Sequence, residues 1–281
     1  MRRGIVVYVE DKKDLLLQFG CLYTSYKYIN SNDTELIVFG TEEALKKIPS
    51  DCIKYNYDPL TVPTEFSSYP FINSLSCLLS DDGNDLNKYD FILRSDVDTF
   101  LTPAWNHFYP EEYTVGKGSY VFSDNVRNSV KKVSNRLGLN HCGLHNLGST
   151  HYGNPEQVRE VSKLAVSIAE YILVEEFKHT EGSWPDWYRG VTSMYSSEIA
   201  LNHLVPNVKI APEQLDYDST SSSHIHLHPH IHCWHTDSVF SKFQFAQGNY
   251  DHLVKKQLNI ELVNDYCLYM SLLSKKTSWN E

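Results

Sequence analysis

The segment Ile5-Val6-Val7-Tyr8-Val9 constrains the fold most. A continuous apolar, mostly β-branched run has no polar face to show to water, so it belongs in a strand covered on both sides, as in a parallel sheet sandwiched between helices. The run stops at Glu10-Asp11-Lys12-Lys13, where a buried strand would reach the top of its sheet. Leu15 to Tyr28 carries apolar residues at helical spacing, Leu36-Ile37-Val38-Phe39 before Gly40 reads as a second strand, and Glu42 to Ile48 as a short helix stopped by Pro49. Cys52 to Tyr57 reads as a third extended segment, Pro70 to Leu79 as helical, and Phe91-Ile92-Leu93 as a fourth strand. Strands alternating with helices predict an α/β fold with a mostly parallel central sheet flanked by helices, whose ligands sit at the carboxyl ends of the strands. The fourth strand leads at such an end into Ser95-Asp96-Val97-Asp98-Thr99.

The second half is less regular. Ser119-Tyr120-Val121-Phe122 reads as a strand. Asn154-Pro155-Glu156-Gln157 has the order of a helix start, with an N-cap, proline at the first helical position and glutamine at the third. Val158, Val161, Ala165, Ile168 and Ile172 continue it as one apolar stripe. Gly182 to Gly190 reads as a Trp- and Tyr-rich loop, Val191 to Leu204 as a helix, and Asp251 to about Ser274 as a further helical region.

Two carboxylates one residue apart at a strand end can both reach a hard divalent cation, and such oxygen ligands suit Mn²⁺ or Mg²⁺. The alternative for Asp96 and Asp98 is a polar turn, since D-x-D occurs often by chance. Arg94, two residues earlier, brings a charge that could meet the same ligand. Asp96-Val97-Asp98-Thr99 also resembles the D-x-D-x-T signature of haloacid-dehalogenase-like phosphatases, which implies a nucleophilic first Asp and an acid/base second Asp. That family places its motif on the first strand, and here three strands precede it.

The stretch from Ile5 to Thr99 more closely resembles the GT-A-fold glycosyltransferases, in which a nucleotide-binding βαβαβ half ends in a D-x-D element, here Tyr89 to Phe100. His145-Asn146-Leu147-Gly148-Ser149 is similar to the Asn-x-Gly turn of glycogenin-like members, and Ser197-Glu198-Ile199-Ala200-Leu201-Asn202 to their acidic helix segment, with Ser197 and Glu198 departing from its commonest residues. Trp234-His235 through Lys242 is similar to the late His and Lys that supply a third metal ligand and a phosphate contact, without the usual glycine spacing. The resemblance implies a single GT-A-like domain over residues 1–281, with a nucleotide-binding half (1–100), an acceptor and metal-site half (101–250) and a helical tail (251–281). It further implies a metal-dependent transfer of a sugar from a nucleoside-diphosphate donor to a hydroxyl of a glycan or related acceptor. Asp96 and Asp98 would bind Mn²⁺ or Mg²⁺, Tyr8 and Glu10 would lie near the nucleotide, Arg94, Asn146 and Gly148 would face the donor sugar, and Lys242 the phosphate.

Two carboxylates compete for a catalytic role. Asp186 lies between Trp184 and Trp187, whose faces could carry a sugar ring, and Glu198 lies on the helix from Val191. The tract Ser223 to His235 is the most conspicuous feature. If extended, it puts His224, His226, His228, His230 and His232 on one face and Ile225, Leu227, Pro229, Ile231 and Cys233 on the other. Three readings stay open: a zinc site, a row of half-exposed polar side chains, or a wall of the active site with His235 or His232 as metal ligand. A non-catalytic carbohydrate- or metal-binding protein of the same fold is the rival from another class.

Lys plus Arg come to 25 against 35 Asp plus Glu, a formal net charge of −10, which disfavours nucleic acid as a partner. Apolar runs are too short to span a bilayer, and the start of the chain has no signal h-region. Six cysteines without a C-x-x-C pair suggest reduced thiols. The expectation is a cytoplasmic protein, bacterial or viral-encoded, or an excised catalytic domain.

Overall fold

The computed structural model describes residues 1–233, 240–253 and 255–275. In chain order the elements are β1 (Arg3–Val9), α1 (Lys13–Ile29), β2 (Thr34–Gly40), α2 (Glu42–Lys46), β3 (Ile53–Asn56), the one-turn α3 (Thr64–Ser67) and α4 (Asn73–Ser76), β4 (Phe91–Arg94) and β5 (Thr99–Leu101). There follow β6 (Thr114–Lys117), α5 (Asp124–Arg136), β7 (Leu147–Gly153), α6 (Pro155–Tyr171), α7 (Thr192–Leu204), β8 (Lys209–Ile210), β9 (Tyr217–Asp218), β10 (His230–His232), α8 (Lys242–Ala246) and α9 (Val263–Ser274). Seven strands make a mostly parallel sheet in the order β3-β2-β1-β4-β7-β6-β8, and β5-β10-β9 make a small second sheet. The molecule is the α/β protein with helix-flanked central sheet that the strand pattern predicts. By contacts it divides into two compact units, one of residues 1–56, 94–109 and 211–281, the other of residues 57–93 and 110–210.

In the first unit every residue of β1 is buried, and β1 runs parallel to β2 in the register Arg3↔Thr34 to Val9↔Gly40. That burial is the physical content of the Ile5–Val9 run. α1 and α2 make the crossovers that parallel pairing needs, and Asn30 ends α1 at φ 45, a left-handed conformation that asparagine tolerates. Arg3 is fully buried and yet charged. Its Nη2 meets Asp33 Oδ1 at 2.6 Å, its Nη1 donates to Trp105 O and Phe108 O, and its guanidinium lies 4.7 Å from the Trp105 ring centre. α9 packs on α1, and Cys21, Phe100, Ile231, Phe240, Phe245 and Tyr266 share one apolar core beneath the small sheet.

In the second unit β6 and β7 pair antiparallel with a register shift between Val115 and Lys117. α6 packs on α7, and the helix start read from Asn154 is built as expected: its side chain accepts from Glu156 N and Gln157 N, with Pro155 opening the helix. The strand expected at Ser119 to Phe122 does not form. The strand there is β6, one turn earlier, and Tyr120 N and Val121 N donate at 2.9 and 2.7 Å to Asn146 Oδ1, a side-chain carbonyl doing what a ladder would have done. Pro70 to Leu79 is helical only in pieces, 3-10 turns on either side of α4.

Candidate functional site

The two aspartates sit in the turn that joins β4 to β5 in the first unit. Ser95 N donates to Val6 O, Thr99 Oγ1 donates to Asp96 O at 3.0 Å, and Ser95 Oγ, which is in hydrogen-bond contact with Thr99 Oγ1, meets the ring of His230 at 2.9 Å. These bonds fix the turn, so the carboxylates leave it in set directions. β10 pairs antiparallel to β5 with His232 opposite Thr99, and Cys233 N extends the pairing to Asp98 O at 2.9 Å. That register carries the His232 ring to the D-x-D turn.

His232 Nε2 lies 3.4 Å from Asp98 Oδ1, and its Nδ1 lies 3.3 Å from Asp216 Oδ1. Lys242, the first residue of α8, forms an ion pair with Asp98 Oδ2. Arg94 Nη2 meets Asp96 Oδ1 at 2.9 Å. One ligand atom each from Asp96, Asp98 and His232 lie within 4.8 Å of one another. Burial by itself would raise the Asp98 pKa, but the charges and hydrogen bonds of His232 and Lys242 outweigh it and hold the carboxyl far below its usual range. Burial would lower His232, and the carboxylates of Asp98 and Asp216 instead push it up to about 10. Lys242 is raised against burial by Asp98. The turn is thus a buried knot of alternating charge in which Asp98 is the shared anion.

The histidine tract is not extended along its length. Ile225 to Leu227 is a 3-10 turn and only His230–His232 is a strand, so the expected alternation fails: Leu227 is exposed while His228 and His230 are buried. Hydrogen bonding makes this tolerable. Thr102 Oγ1 is bonded to the carbonyls of Ile225 and His228, His228 Nδ1–H donates to Glu213 O, and Ser223 Oγ meets His228 Nε2 at 2.8 Å. His230 Nδ1 accepts from Asp216 N, and burial lowers its pKa to about 4, so the ring is neutral. His224 and His226 are exposed. Of the two histidines read as metal ligands, His232 reaches the aspartates, and His235 lies in 234–239, outside the described residues.

Tyr8 is buried within β1, and Glu10, just past its end, pairs with Lys12 at 2.5 Å. The remaining sequence candidates belong to the second unit. Asn146 adopts φ 59, and its side-chain oxygen is taken by the backbone of residues 120 and 121; Gly148 is buried within β7. Asp186 accepts from Ser123 Oγ at 2.6 Å and Asn125 Nδ2 at 3.0 Å, bonds that hold its pKa below the usual carboxylate value. Trp184 beside it is exposed, and Trp187 stacks on Tyr195. Glu198 is fully buried on α7, with Oε1 bonded to His145 Nδ1 at 2.7 Å and Oε2 accepting from Tyr120 Oη and Asn146 N. Burial pulls the Glu198 pKa up, but hydrogen bonds from His141, His145 and Tyr120 win and lower it.

Sequence reading missed Asp216, which holds a left-handed φ of 56 beneath His230 and His232, and Ser95 and Tyr120 as anchors of the two carboxylate clusters. Nothing local marks Asp216, whose partners come from β10. His141 and His145, four residues apart, are legible as a spaced pair.

No curated protein matches the sequence. Among solved structures, the galactosyltransferase LgtC, crystallised with donor and acceptor sugar analogs, aligns over 75% of this chain and 74% of its own, at 12% identity and a TM-score of 0.42. A family model, that of a domain of unknown function named DUF7164, matches residues 1–281. The chain therefore belongs to the DUF7164 family.

Proposed function

We propose that this protein is a divalent-cation-dependent glycosyltransferase, moving a sugar from a nucleoside diphosphate to a hydroxyl of a glycan or related acceptor. One observation carries the reading: the D-x-D turn at a strand end is joined by an imidazole and an ammonium from distant parts of the chain, all converging on Asp98. Two carboxylates and one imidazole form a mainly oxygen donor set of the kind that suits Mn²⁺ or Mg²⁺, and the buried Asp98 already requires positive charge around it. A cation there supplies charge against the diphosphate as negative charge builds on the leaving group.

The side chains have separable tasks. Asp96, Asp98 and His232 hold the cation, with Asp216 fixing the His232 ring from its other nitrogen. Arg94 orients Asp96, and Lys242 orients Asp98 while adding a second positive charge for phosphate oxygens. In the second unit, Asp186 beside the exposed Trp184 is assigned to acceptor hydroxyls, and Glu198, with both oxygens bonded, to holding Asn146 and Tyr120.

The test is release of nucleoside diphosphate by purified protein across a panel of nucleotide sugars with Mn²⁺. Turnover with at least one donor is expected, abolished by chelator and lowered about a hundredfold or more in Asp98→Asn. Nucleotide-sugar binding without hydrolysis or transfer on any donor would overturn the enzyme reading in favour of a binding protein. Activity indifferent to chelator would overturn the metal role.

A further inference from the structure

Two imidazoles of the histidine tract take no part in the D-x-D turn. His224 and His226 flank Ile225, which is buried in the apolar core, and both are exposed, with ring centres 5.2 Å apart. A carboxylate meets them from a distant part of the chain: one ligand atom each from His224, His226 and the exposed Glu261 lie within 4.8 Å of one another.

The backbone beneath these side chains is held from several directions. His224 and Leu262 form an antiparallel bridge, Ile225 N donates to Glu261 O at 3.0 Å, and Val263 N donates to Ser223 O at 2.9 Å. Thr102 Oγ1 donates to Ile225 O at 3.0 Å, and Leu227 N closes the turn on His224 O at 3.2 Å. Glu261 N donates to Asn259 Oδ1 at 3.2 Å, and Asn259 N to Asp265 Oδ2 at 2.8 Å, which fastens this segment to the first turn of α9.

The side chains themselves are uncommitted. Among the described residues no hydrogen bond or ion pair engages the rings of His224 and His226 or the carboxylate of Glu261, so the lone pairs of all three face water. A zinc ion about 2.1 Å from its ligands sets them roughly 3.4 Å apart. Exposed side chains on a fixed backbone close to that spacing by rotation about their own bonds, displacing only water.

We propose that His224, His226 and Glu261 form a surface Zn²⁺ site, with water in the fourth position, that clips the 3-10 turn at Ile225–Leu227 to the chain entering α9. Two imidazoles and one carboxylate are a zinc ligand set, distinct in residues and in donor chemistry from the oxygen-rich aspartate cluster.

Chelator-stripped full-length protein carrying ¹⁵N-labelled histidine, titrated with ZnCl₂ alone, tests this by NMR and calorimetry. The imidazole signals missing from His224→Gln and from His226→Gln identify the two rings, and both are expected to shift together in the parent as zinc is added. The double variant His224→Gln/His226→Gln is expected to bind one Zn²⁺ fewer per chain, and Glu261→Gln to weaken that site at least about tenfold. Zinc is expected to raise the Tm of the parent more than that of the double variant. All three side chains are exposed, so the variants are expected to keep the parent's Tm in chelator. Zinc taken up while the His224 and His226 signals stay still, or the same number of sites in parent and double variant, would overturn the proposal. Unchanged affinity in Glu261→Gln would overturn the three-ligand set. None of these outcomes bears on sugar transfer.

Discussion

At the scale of single residues, Asp98 organises its surroundings because a nearly buried carboxylate must be neutralised, and two cationic side chains from distant positions do so. Removing one partner leaves the charge under-compensated. Lys242→Met is expected to cost about 3 kcal/mol in urea unfolding, and Mn²⁺ is expected to raise the Tm of the variant more than that of the parent, because the ion returns positive charge to Asp98. An equal Mn²⁺ effect on both would separate Lys242 from the cation site. A second charged pair gives a pH prediction. Burial alone would raise Asp33, but hydrogen bonds from Arg3, Tyr109 and Ser31 lower it to about 2 from an ordinary 3.8. A carboxyl depressed in the folded state contributes stability that is complete above its ordinary value and disappears as pH falls through the folded one. Asp33→Asn is therefore expected to lose about 2 kcal/mol near neutrality and to show a flatter stability profile between 3.8 and about 2.

At the scale of elements, the Asn154 cap and the Thr102 hydroxyl are the clearest places to test what holds a segment in position. Asn154→Ala leaves the first N–H groups of α6 without their acceptor and should cost about 1 kcal/mol in thermal or denaturant unfolding. Thr102→Val keeps the shape and removes the hydroxyl that joins β5 to the carbonyls of Ile225 and His228, for an expected loss of about 1–3 kcal/mol. These two cases mark what was legible. The α6 start is local in sequence, with cap, proline and stripe all within a few residues, and periodicity found it. The bend of the histidine tract is not local. It depends on a buried threonine, on Glu213 O and on Ser223, so alternation of His with Ile and Leu predicted an extended strand where the chain makes a 3-10 turn. Residues 119–122 failed for the same reason, since Asn146 supplies from elsewhere the acceptor that a strand would have found in its neighbour.

At the scale of the whole molecule, the apolar runs specified the parallel sheet, and the D-x-D turn was legible because its two carboxylates adjoin one strand end. Their partners were only partly legible, because a pairing register such as that of β10 on β5 is set by the packed core rather than by any short motif. No helix among the described residues is long and apolar enough to cross a membrane, and all six cysteines are free thiols. A net charge of −10 would oppose the anionic donor of the proposed transfer, and a cation at the D-x-D turn, with Lys242 and Arg94 beside it, would answer that locally. Anomalous scattering at the manganese edge, from crystals grown with Mn²⁺ and a nucleoside diphosphate, tests that answer most directly. A manganese peak beside Asp96, Asp98 and His232 is the expected result. Nucleotide bound with no manganese at those three residues would contradict it.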